Sequence, residues 1–107
     1  MSHIEIKYKD KTYNLHYTLA AIKTMEEEGF DINQIKQKPI TMSSKLFHGA
    51  FIAEHDYLSD QFIEEIFANL PKKGLIEKLG EMYRDVIVSV TAEETDGETK
   101  NASWEVK

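Results

Sequence analysis

The chain has 107 residues, no Cys and a formal net charge of −6, a length that fits one domain and a composition that excludes a disulfide framework, a thiolate zinc site and a Cys nucleophile. With 13 basic against 19 acidic residues, phosphate backbones are repelled, so nucleic acid is disfavoured as the main partner. No apolar run approaches the ~20 residues of a membrane span, and Met1 to Glu5 shows no signal-peptide pattern, so a cytosolic chain is expected.

Residues 4 to 17 read as a β-hairpin. Ile4, Ile6 and Tyr8 alternate with Glu5 and Lys7, and Tyr13, Leu15 and Tyr17 alternate with Thr12, Asn14 and His16. Period-two alternation places each set on one strand face, and Asp10 suits a tight turn between them. A lone hairpin is marginal in water, so its apolar face must lie on helices.

About four helices are expected to supply that cover. The first follows Thr18 as N-cap and runs to about Glu28, with Leu19, Ile22 and Met25 on one face and Gly29 as its end. Phe30 to Pro39 reads as a connection holding one turn around Ile32 and Ile35. The second helix is expected from Thr41, as N-cap, to near Glu54. The third is capped by Ser59, with Leu58 and Ile63 spaced as a hydrophobic staple. Its apolar set is Phe62, Ile63, Ile66, Phe67 and Leu70. The fourth runs from about Pro71 towards Val90, although the β-branched run from Val86 to Thr91 also suits a strand. The fold class is therefore α+β: an N-terminal hairpin packed on about four helices, with residues 1–92 as one domain. Residues 93–107 carry five acids against two bases and are expected to form an acidic, flexible tail. A hairpin through Asp96-Gly97 that returns Trp104 to the domain is the alternative.

No catalytic, cofactor or metal site is expected. His48 and His55 are seven apart and would share a face on a continuous helix, yet lie ~10 Å from each other along its axis. A third ligand is missing. His48 is expected to pack at a helix edge, His55 to favour a helix C-terminus, and His3 and His16 to sit on the hairpin's wet face. Glu26-Glu27-Glu28 splay around their helix and cannot converge on one cation. Glu64-Glu65 and Glu77 with Glu81 read as solvated faces. A helix-turn-helix reading fails because its recognition helix would carry Asp60, Glu64 and Glu65 towards phosphates. What stands out is large apolar surface. Phe47, Phe51, Phe62 and Phe67, with Tyr57, Met82 and Tyr83, exceed what one narrow stripe needs, and the surplus is expected to face a partner.

The hairpin Ile4-Glu5-Ile6-Lys7-Tyr8 to Thr12-Tyr13-Asn14-Leu15-His16-Tyr17 leads directly into Thr18-Leu19-Ala20-Ala21-Ile22-Lys23-Thr24-Met25-Glu26-Glu27-Glu28, then further helices and an acidic tail. This layout, over roughly residues 4 to 92, resembles the tail assembly chaperones of long-tailed phages and prophages of Gram-positive bacteria. Related proteins commonly carry Gly in the hairpin turn, where this chain has Asp10-Lys11. The resemblance implies a non-enzymatic assembly factor that coats the apolar, helical tape measure protein, helps recruit tail tube subunits and leaves before the virion matures. It would act in the host cytoplasm, with no cofactor, nucleic acid or membrane, and self-association into a homo-oligomer is compatible with the role. The alternatives are a small DNA-binding regulator of a mobile element and a structural tail or head-tail component.

Overall fold

A computed structural model describes residues 3–91. The expected hairpin forms from β1 (Ile4–Tyr8) and β2 (Lys11–Leu15), paired antiparallel with Ile4 opposite Leu15, Ile6 opposite Tyr13 and Tyr8 opposite Lys11. This register sends Ile6, Tyr13 and Leu15 to the buried face. Lys9 and Asp10 alone make the turn, at φ 51° and 67°. Two left-handed residues in succession match the right-handed twist of the strands, and Asp tolerates the position without Gly.

Thr18 accepts from the Ala21 N–H at 3.1 Å and starts α1 (Leu19–Glu27). Gly29, at φ 97°, ends it. The Phe30 N–H returns to the Met25 carbonyl at 2.9 Å and the Gly29 N–H to Glu26 at 3.1 Å, so the last carbonyls are satisfied and Phe30 turns into the core. The buried face of α1 is Ala21, Ile22 and Met25, whereas Leu19 is 55% exposed, contrary to expectation. A single 3-10 turn spans Ile32–Gln34, capped by Asp31.

The second helix departs from the sequence reading at both ends. α2 (Pro39–Gly49) begins before Thr41, with Pro39 in its first turn. Proline brings the right φ and has no N–H to leave unpaired there. The helix then stops at Gly49 and restarts as the short α3 (Ile52–His55). At the break the Ala50 and Phe51 N–H groups bond three residues back, to Phe47 and His48, both at 3.1 Å, and the Ala50 carbonyl accepts from the His16 N–H on the hairpin at 3.2 Å.

Ser59 caps α4 (Asp60–Asn69) through the Phe62 N–H at 3.1 Å, as expected. Pro71 ends α4 but does not open the next helix. Leu70 before it is extended, as a residue preceding proline tends to be, and Gly74 at φ 78° redirects the chain. α5 therefore spans Leu75–Thr91. Its β-branched end is helical, because the stripe of Leu79, Met82 and Tyr83 holds the helix on the core. The acidic tail and the alternative return of Trp104 lie outside the described residues.

One core gathers the inner faces of all these elements, with Leu15, Leu46, Phe47, Ile66 and Leu79 fully enclosed. Tyr17 reaches into it and is satisfied by donating to the Leu46 carbonyl at 2.6 Å. Burial, then the nearby Tyr83, pushes its phenol well above the ordinary value.

Candidate functional site

The aromatic residues expected to face a partner are mostly core. Phe47, Phe51, Met82 and Tyr83 are at most 3% exposed, which corrects their assignment to a binding surface. The reason is that the hairpin brings its own aromatics. Tyr13 packs edge-on to Phe62 and lies tilted against Phe51, and Tyr8 meets Phe62 at 6.0 Å. Phe47 stacks between Phe51 and Phe67 at 5.1 and 4.7 Å. Tyr83 sits between Tyr17 and Phe30. Both sides of the short helices are thus used. Phe62 and Phe67 are half-buried, and of the expected set only Tyr57, at 71%, is strongly exposed.

The histidines act as joints between elements. The helix breaks at Ala50, and His48 and His55, which both line the same groove, bond different elements. His48 on α2 bonds Glu64 on α4 (Nε2 to Oε2, 2.6 Å). His55 on α3 accepts the Asn14 N–H of β2 at 3.1 Å. His16 is half-buried, not on the wet face, and meets Glu54 of α3 at 2.8 Å. Among the described residues, no group of three or more His, Asp or Glu is arranged to hold a metal ion.

A half-open groove of about 610 Å³ lies where α1, α2, α3 and α4 meet. Met25, Phe30, Phe51 and Ile63 lie beneath it, and the half-buried Ile52 and Leu58 reach its surface. Glu28, Asp56, Asp60 and Glu64 bring carboxylates to its lining, against the single cation Lys45. Gly49 lets α1 come close: a Cβ there would overlap the Met25 side chain. Ser44 and His48 both bond the same Glu64 oxygen, at 2.5 and 2.6 Å. The Ser44 bond first, then His48, holds the Glu64 carboxyl below the ordinary glutamate value. A carboxylate so stabilised is a poor base, and the serine hydroxyl is not directed at an imidazole. The trio is a strut between α2 and α4.

The family-level comparison covers the whole chain: the model of a family described as a domain of unknown function, DUF5055, matches residues 1–107. The chain belongs to the DUF5055 family. Neither the curated proteins nor the solved structures contain a match. Sequence reasoning missed the groove's acidic rim, because Asp56, Asp60 and Glu64 carry no spacing that sets them apart from an ordinary solvated face. Of the residues expected to face a partner, Phe51 lies in the groove's lining, and the exposed Tyr57 stands between the groove-lining Asp56 and Leu58. Among the described residues, no helix is long and apolar enough to cross a membrane.

Proposed function

We propose that this protein is a non-enzymatic tail assembly chaperone of a long-tailed phage or prophage. In the host cytoplasm it covers an apolar helical part of the tape measure protein and helps recruit tail tube subunits. The observation that carries this reading is the half-open groove with apolar floor at the junction of four helices, with the exposed Tyr57 between two of its lining residues. Most groove-lining residues lie within helices, whose backbone groups pair internally, and the N–H groups of Asn14 in β2 and of His16 just after it are taken by His55 and Ala50. A peptide seated there must satisfy its own backbone hydrogen bonds, which a helix does. A small ligand would stay largely in water on the open side. α4 carries the acids Asp60, Glu64 and Glu65, which speaks against the DNA-binding alternative.

Co-expression tests the reading. The full chain and a tape measure segment rich in apolar helix are produced together, and the segment's solubility and co-elution are measured. The segment should stay soluble and co-elute with the protein. Equal aggregation with and without the protein would remove the proposal.

A further inference from the structure

We infer that the groove where α1, α2, α3 and α4 meet selects a helix that is apolar on one face and carries Lys or Arg along its flanks. This rests on the reading above that the protein binds a helix, and adds which chemistry that helix presents and where it docks.

The argument is one of charge and partnership around the groove. Four carboxylates line it, from Glu28, Asp56, Asp60 and Glu64, and they come from the end of α1, the α3–α4 connection and α4. They are not all equivalent. Glu64 is taken up by Ser44 and His48. The side chain of Asp60 is 96% exposed and only 3.7 Å from His48 Nδ1. Glu28 and Asp56 are exposed too. The one lining lysine, Lys45, donates to the Glu28 backbone carbonyl at 3.0 Å and not to a carboxylate. Lys45 therefore does not neutralise the rim, and the exposed carboxylates of Glu28 and Asp56, with the 96% exposed Asp60 beside His48, can meet an incoming cation. The same lining includes the half-buried apolar side chains of Ile52 and Leu58. A groove that combines apolar side chains with carboxylates complements a helix whose apolar face is flanked by bases, because the long stems of Lys and Arg cover apolar surface while their heads reach the carboxylates. An acid-flanked helix would meet like charge, and a neutral one would leave the rim unused.

The test uses three synthetic amphipathic helices of about 18 residues, equal to five turns, with the same leucine face and with Lys, Gln or Glu on the flanks. Each is labelled and titrated with the full-length protein, with binding followed by fluorescence anisotropy at low and at molar salt. The Lys helix should bind at least about tenfold tighter than the Gln helix at low salt, with the advantage shrinking at high salt. The double variant Asp56→Asn/Asp60→Asn should lose that advantage. The control Glu77→Gln/Glu81→Gln makes the same charge change on α5, outside the groove, and should keep it. If the first variant fails to melt cooperatively, Glu28→Gln/Asp56→Asn serves in its place. Equal loss in groove and control variants would mean a general attraction of cations to an acidic protein and would overturn the inference. Equal binding of Lys and Gln helices would overturn the charge selection while leaving the chaperone reading intact. Failure of all three helices to bind would remove both.

Discussion

The backbone N–H of Asn14 in β2 donates to Nε2 of His55 in α3 at 3.1 Å. Because Nε2 accepts, the proton of the neutral ring sits on Nδ1, which meets the Tyr57 hydroxyl at 3.1 Å. Two residues along, the His16 N–H reaches the Ala50 carbonyl. These two N–H groups point away from β1, so Ala50 at the helix break and His55 in α3 cover this part of the strand edge that a hairpin otherwise leaves open.

His55→Ala should therefore cost about 1–3 kcal/mol, since it leaves a half-buried N–H without an acceptor and removes the ring that packs on Tyr13. Urea denaturation measures the loss. Amide exchange at Asn14 should speed up more than exchange in α5.

Glu64 should make stability pH-dependent in one direction. Its folded value lies below its unfolded value, chiefly through Ser44 and then His48, so the deprotonated form is the one the fold favours. The contribution is present in full above the ordinary glutamate value and is lost as pH falls through the lowered one. Solvent exposure keeps it small. Glu65, lowered first by Tyr8 and then by Lys9, has the same sign. Urea midpoints taken across the acid range should show wild type and Glu64→Gln converging as pH drops.

Gly49→Ala should destabilise by about 1–3 kcal/mol, because its Cβ would overlap the Met25 side chain. Met25→Ala, which opens a cavity in the core, should also destabilise. The double variant should be more stable than the sum of the two predicts, since the new methyl enters the vacated space. Thermal melting of the four proteins gives the coupling.

Asp10→Gly should stabilise by about 0.5–1 kcal/mol, because φ 67° is less costly for Gly in this two-residue turn. The gain appears as a higher denaturation midpoint. It should leave the bond of Lys9 to Glu65, at 3.0 Å, in place.

Phe47→Ala and Tyr57→Ala should behave in opposite ways. The first empties an enclosed core site and should cost about 3–5 kcal/mol. The second truncates an exposed ring, so melting should shift little while capture of the apolar helical segment weakens. Melting and co-elution measured on both proteins decide the matter.

Local chemistry was enough to read the hairpin, the Thr18 and Ser59 caps, the Gly29 stop and the apolar stripe of α5. Each depends on residues within a few positions of one another: alternation, a hydroxyl before a helix, a residue able to take a positive φ. The acidic rim, the break at Ala50 and the burial of Phe47 and Phe51 depend on contacts distant in the chain. Ala50 leaves its helical ladder where a hairpin N–H meets its carbonyl. Phe51 is enclosed because Tyr13, 38 positions earlier, lies against it. A count of aromatics on a helix says how much surface must be covered. Which neighbour covers it is settled only when strand and helices pack together, and here the hairpin's own tyrosines took the place that the sequence had left for a partner.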